Sequence, residues 1–251
     1  MNSPVTLDRR EGPYGEVVLR RREAEGTSTR TGAGTKADGT GTGTGTGFGN
    51  GTEHYEIIAN GTFLMDTSDG RSERLLIDAA RDALPEDRPA PSVLIGGLGV
   101  GFSLAHAAAD ERWGRIVVVE RESAIIDWHR EGPLAAVSGA ALVDPRTVIL
   151  HTDLVEHLRT TPDHYDALCL DIDNGPDWTV TEDNESLYSA EGLATCAARL
   201  TPGGILAVWS ARPSADFEES LRNAGFNGVR TEEVPVARGV PDVVHLAVRP
   251  S

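Results

Sequence analysis

SVLIGGLGVGFSLAHAAAD, residues 92–110, is a short apolar run that breaks into glycines and then resumes with helical spacing. A buried strand passing through a tight glycine turn into a helix start gives this pattern, since glycine lets the backbone turn sharply and approach a ligand closely. Two phosphate-binding patterns fail at this turn. Phe102 stands where a dinucleotide fingerprint needs its third glycine or an alanine, and no Lys-Ser or Lys-Thr pair follows, as a Walker loop requires. What remains is a GxGxG turn at Gly97, Gly99 and Gly101, which by itself fits a tight connection as well as a ligand cradle.

Outward from this stretch the chain alternates helix and strand. RIVVVE (115–120), TVILHTD (147–153), YDALCLDID (165–173) and ILAVWSA (205–211) are short continuous apolar runs, as strands buried on both faces tend to be. Between them FSLAHAAAD, SAIIDWHREGPLAAV, LVEHLRTT and SAEGLATCAARL carry helical spacing, with SERLLIDAARDAL ahead of the first strand. Such βα repetition predicts an α/β, Rossmann-like, doubly wound sheet. After a helix at ADFEESLRNAGF, the strands VRTEEVPVA and PDVVHLAVR predict an antiparallel pair that closes it. Residues 1–70 read differently: GEVVLRRRE and HYEIIANGTFLMD are extended segments with a tight turn at Asn60-Gly61, predicting a small antiparallel β domain ahead of a main domain over 71–251. The Gly/Thr tract at about 26–52 is expected to be disordered, since it has too little apolar surface to offset its ordering entropy.

Ligands of doubly wound sheets bind at the carboxyl ends of the strands, so the residues that follow each strand are the candidates. Glu120 closes its strand roughly 20 residues after the glycine turn, where an acid can accept both ribose hydroxyls. The next strand ends at Asp153, placed to receive an exocyclic amine. The fourth ends in Asp171-Ile172-Asp173-Asn174-Gly175-Pro176. This is not a calcium loop, because Gly175 stands where an oxygen ligand is needed and Pro176 where the loop needs glycine. Asp173 and Asp177 also fit a solvated loop, whereas Asp171, at the end of a buried strand, does not.

Composition narrows the function classes. A chain of 251 residues that is 39% hydrophobic can bury a sizeable core, and a formal charge of −16 opposes binding to nucleic acid or to an anionic membrane surface and suits a small cationic partner. No apolar run reaches the ~20 residues of a membrane span, and a cytoplasmic location is the default expectation. The two cysteines, Cys169 and Cys196, read as reduced buried thiols, and the seven histidines, His151 and His157 among them, lack metal-ligand spacing, so no metal is expected.

The set VLIGGLGVG, VVVERE, TDLVEHL, YDALCLDIDNGP, SLYSAEGL and LTPGGILAVW, in this order and spacing, resembles the spermidine synthase family within the class I S-adenosylmethionine-dependent methyltransferase superfamily. The resemblance implies a seven-stranded domain behind a small β-rich domain, dimerisation through the latter, and a sulfonium donor, S-adenosylmethionine or its decarboxylated form, as co-substrate. It implies that Gly97, Gly99 and Gly101 pass the donor's sulfonium side, that Glu120 holds the ribose, that Asp153 and Leu154 bracket the adenine, and that Pro176 borders the nucleoside. Asp171 takes the place of the family's proton acceptor, with Asp173 beside it, while Glu73 falls on the acceptor side. Trp178 and Tyr188 either wall the pocket or pack in the core.

The chain departs from the family on the substrate side. Val100 stands where the glycine motif carries an aspartate that binds the amine end of the decarboxylated donor, Gly15 replaces a glutamine of the first strand, and Ser72-Glu73 replaces a Tyr-Gln or His-Glu pair. The Asp-Ser-Ser-Asp-Pro segment is shortened to Asp171-Ile172-Asp173-Asn174, and VPVARGVPDVVHL replaces an aromatic Tyr-Pro segment. Three functions follow: aminopropyl transfer to an altered amine acceptor, with the acids Asp177, Glu182, Asp183 and Glu185 available to a cation; methyl transfer from the intact donor; or a catalytically silent nucleoside-binding scaffold.

Overall fold

Strand β5 (Ser92–Gly96) is central to the fold, in a computed structural model that describes residues 3–23, 53–172, 174–177, 182–234 and 240–251. The Gly/Thr tract at about 26–52, together with Asp173 and Trp178, lies outside the described residues. β5 pairs in parallel with β6 (Arg115–Glu120) on one side and β8 (Tyr165–Leu170) on the other; β7 (Thr147–His151) extends the sheet beyond β6, and β9 (Leu200–Ser210) beyond β8. The chain therefore reverses its direction of sheet growth between β5 and β8, which opens a crevice at their carboxyl ends. β11 (Asp242–Val248) then inserts antiparallel between β9 and β10 (Asn227–Val234), giving seven strands in the order β10-β11-β9-β8-β5-β6-β7. The expected Rossmann-like sheet with an antiparallel closing pair is the one observed.

Alternation along the strands builds two apolar layers. Val93, Ile95, Ile116, Val118 and Cys169 face α1 (Arg71–Ala83), α2 (Phe102–Ala109), α3 (Ser123–Arg130) and α4 (Ala135–Leu142), whereas Leu94, Val117, Leu168 and Leu206 face α5 (Leu154–Thr160), α6 (Glu182–Tyr188), α7 (Ala190–Arg199) and α8 (Ala215–Asn223). The segment expected as one helix over 123–137 is two. Pro133 has no N–H to donate, and a side chain at Gly132 would sit 2.8 Å from the Trp128 carbonyl, so the chain turns between α3 and α4. Among the described residues, no helix is long and apolar enough to cross a membrane.

The first 66 residues hold a four-stranded antiparallel sheet, β1 (Val5–Gly12), β2 (Gly15–Glu23), β3 (Glu53–Ala59) and β4 (Thr62–Asp66), with the expected turn at Asn60-Gly61. β1 is an addition to the sequence reading. Its run VTLDRREG lacks an apolar face because it is an edge strand, where charged side chains discourage pairing with other chains. Val17, Leu19 and Ile57 of this sheet join the same apolar cluster as α1 and β5, which lays the N-terminal sheet over the crevice.

The opposite end of the central sheet is tied by polar contacts. Asp166 accepts from the Ser92 amide at 2.8 Å, from Arg88 at 2.7 Å and from the Thr201 hydroxyl at 2.9 Å, linking the amino ends of β5, β8 and β9. Burial alone would raise its pKa, but these bonds outweigh burial and hold the carboxyl below its ordinary value.

Candidate active site

The carboxyl ends of β5, β6, β7 and β8 open into a cavity of about 730 Å3, roofed by β4 and by the Asn60 turn. Gly97 and Gly99 line it, and both have positive φ, +91° and +50°. Gly97 is required by the neighbouring strand: a Cβ there would lie 2.5 Å from the Asp171 carbonyl oxygen, and the Asp171 amide donates to the Gly96 carbonyl at 3.0 Å. This close approach brings the end of β8 against the glycine turn.

The amides of the turn show what it can hold. Gly97 donates to the Val119 carbonyl at 2.9 Å, Leu98 to Glu120 Oε2 at 2.9 Å, Val100 to Met65 Sδ at 3.2 Å and Gly101 to the Leu98 carbonyl at 2.9 Å. These four donors are engaged inside the protein and are not presented to a phosphate.

Gly101 is the one glycine of the three outside the cavity lining. Its α-carbon faces His129 and Ser138, and His129, fully buried, bonds the Gly99 carbonyl through Nε2 at 2.8 Å and Ser138 Oγ through Nδ1 at 2.6 Å. Burial lowers the His129 pKa and keeps the ring neutral, so Nε2 donates to Gly99 and Nδ1 accepts from Ser138. α3 thereby fixes the turn from behind.

Glu120 is buried at the cavity wall, with Oε1 accepting from the Glu122 amide at 2.8 Å and Oε2 from Leu98. Burial raises its pKa, and the two amides oppose that rise. Each carboxylate oxygen keeps a second lone pair, which suits the vicinal hydroxyls of a ribose. Asp153 caps α5, its Oδ1 accepting from the Glu156 amide at 2.9 Å, and also lines the cavity beside Leu154. Replacing Asp153 by Ala removes the cap and should cost about 1 kcal/mol of stability. Urea unfolding of the variant checks this, and no loss would mean the cap is redundant.

Asp171 reaches the cavity at its acidic end, together with Glu73, Asp69 and Asp242. Its pKa is pushed up to about 8, by burial first and then by the charges of Glu73 and Asp242. Glu73 is raised by burial, with Asp69 and Asp242 adding to the rise, and the Ser72 hydroxyl donates to it at 3.1 Å. Asp242 is also raised, chiefly by burial. Arg71, the cation at this end, is held by Asp69 through contacts of 2.6–3.0 Å. Three carboxyls with raised pKa values at one end of a cavity favour a cationic ligand, whose charge would restore their ionised forms. Among the described residues no group of three or more His, Cys, Asp or Glu side chains could hold a metal ion.

Sequence reasoning missed Asp242, Asp69, Met65, Asn184 and Trp209, all of which line the cavity. Asp242 opens β11, and because β11 runs antiparallel to β9, its first residue lies at the end where parallel strands finish. Looking before the antiparallel strand, as well as after the parallel ones, would have found it. Pro176 and Tyr188 do not line the cavity; Tyr188 meets Phe217 edge to face at 5.7 Å on the α8 side of the sheet. Val100, expected at a ligand-facing position, is fully buried in the α1 layer, and the neighbouring residue open to the cavity is Gly99.

No protein-family model and no curated protein matches the sequence. Solved structures do. A spermidine synthase in complex with the transition-state analogue AdoDATO aligns with 98% of this chain and 74% of its own at a TM-score of 0.71 and 15% identity. Spermidine synthase from Thermotoga maritima aligns with 98% and 73% at a TM-score of 0.68 and 14% identity. Both the four-stranded leading sheet and the seven-stranded sheet behind it match in these alignments, so the chain has a spermidine-synthase-like fold.

Proposed function

We propose that this chain is a transferase that moves an aminopropyl group from a decarboxylated S-adenosylmethionine-type sulfonium donor to a small cationic amine. The observation that carries this reading is the position of Asp171: against the glycine turn, in one cavity with Glu120 and Asp153, and beside Glu73 and Asp242. In this reading Glu120 takes the ribose, Asp153 and Leu154 the adenine, and the acidic end the acceptor. The glycine turn fits such a ligand: its engaged amides leave a neutral backbone wall where a phosphate site would present donors. The sulfonium supplies an activated carbon and a neutral thioether leaving group.

An ammonium has no lone pair, so the acceptor must lose a proton before its nitrogen can attack. Asp171 is the base for that step, and a pKa near 8 matches it to an amine far better than an ordinary carboxylate would. Entry of the cation favours the ionised form of Asp171; the carboxylate takes the proton from the ammonium, and the freed lone pair then forms the nitrogen–carbon bond as the carbon–sulfur bond breaks and its electron pair stays on sulfur. The test is incubation with each donor form and a panel of diamines, followed by mass spectrometry. Release of 5′-methylthioadenosine supports the proposal, S-adenosylhomocysteine would replace it by methyl transfer, and absence of both products with bound nucleoside would leave a silent scaffold.

A further inference from the structure

Met65 occupies the place from which the glycine turn would otherwise meet a ligand. It sits on β4, where Ile57 pairs with Met65 and Ile58 with Phe63, so Leu64 is an extra residue and the strand bulges. Simple alternation would put Phe63 and Met65 on one face. The bulge instead lets three consecutive side chains, Phe63, Leu64 and Met65, reach the cavity, Phe63 50% exposed and Met65 half-buried. Bulges re-aim side chains in this way beside functional sites. There the thioether lies over Gly99, where an added Cβ would collide with Sδ and come within 3.0 Å of Cε, and it accepts the Val100 amide at 3.2 Å.

We propose that Met65 is a donor-specificity residue: by filling the space over Gly99 and engaging the Val100 amide, it denies a carboxylate-bearing donor tail both room and a hydrogen-bond donor. This rests on the sulfonium-donor reading of the same cavity. An acid on the donor's tail would approach a wall that already carries Glu73, Asp171 and Asp242, and an unengaged backbone N–H is the kind of partner that could offset that repulsion. Met65 removes that partner with a neutral, polarisable side chain. A donor without the carboxylate loses nothing by it.

The experiment is calorimetry with three ligands on the full chain: 5′-methylthioadenosine, which has no amino-acid tail, S-adenosylmethionine, and its decarboxylated form. In Met65→Ala, the affinity for S-adenosylmethionine relative to 5′-methylthioadenosine should rise about tenfold, with the decarboxylated ligand shifting less than about threefold on the same scale. Met65→Leu keeps the space closed and should preserve the wild-type ranking. If all three affinities move together in Met65→Ala, if the ratio stays put, or if Met65→Leu shows the same gain, the specificity role is overturned while the nucleoside site stands. If wild type binds none of the three ligands, the reading of the cavity fails, and this role fails with it.

Discussion

Asp171→Asn should lower turnover by about two to four orders of magnitude while leaving 5′-methylthioadenosine affinity within a few-fold of wild type. Asn keeps the size and polarity of the side chain but cannot take a proton, and the nucleoside contacts assigned to Glu120 and Asp153 do not involve it. Rapid-quench turnover and calorimetry on the same preparation separate the two effects. Activity of the variant within tenfold of wild type would exclude Asp171 as the base.

The same substitution carries a stability signature with a definite sign. The Asp171 pKa in the folded protein, about 8, lies above its unfolded value, near 3.8, so burial favours the protonated carboxyl. Its stabilising contribution is fully present below pH 3.8 and is lost as pH rises through 8. Asp171→Asn removes this dependence. The variant's melting temperature should therefore fall less between pH 5 and pH 9 than that of wild type, and should exceed it at pH 9. Thermal denaturation at the two pH values checks this, and parallel curves would show that the carboxyl ionises as freely folded as unfolded. A more stable but inactive variant is the expected mark of a base held in an unfavourable place for function.

Glu120→Ala should be the most damaging change to ligand binding. Two backbone amides, of Leu98 and Glu122, have this buried carboxylate as acceptor, and an unsatisfied buried donor costs ~1–3 kcal/mol. Water entering from the cavity offsets part of that, so a loss of about 2–4 kcal/mol is expected in urea unfolding. Because the Leu98 amide belongs to the glycine turn, the turn loosens as the ribose contact is lost, and nucleoside affinity should drop by at least about 100-fold. Glu120→Gln, which retains a carbonyl oxygen for one amide, should fall between. A stability loss below about 1 kcal/mol in the Ala variant would show that the amides find other partners.

The part of the cavity at the carboxyl ends of β5 to β8 was legible in the sequence because parallel strands announce their ends. Each is a short apolar run, and Gly97, Glu120, Asp153 and Asp171 follow or close such runs. The rest of the lining was less legible. Asp242 opens an antiparallel strand, so the same rule looked for it at the wrong end, and Phe63, Leu64 and Met65 all line the cavity across a bulge at Leu64, which breaks the alternation that sequence patterns report. Val100 and Gly101 were read as ligand-facing for a related reason: spacing orders the residues of a glycine turn but does not say which of them faces outward. Tyr188 carries no mark in its neighbours that distinguishes a cavity wall from contact with Phe217. The break between α3 and α4 was visible in Gly132-Pro133, and helical periodicity on both sides hid it.

The insertion of β11 between β9 and β10 also orders events during synthesis. The lining residues at the ends of the parallel strands, from Gly97 to Asp171, leave the ribosome before residue 172, whereas Asp242 arrives some seventy residues later, on the strand that must slide between two neighbours already made. Until it does, β9 presents an open edge and the acidic end lacks one of its three raised carboxyls. The nascent chain can thus complete the glycine-turn side of the cavity first, and the acidic end receives its third carboxyl last, by the step that seals the sheet.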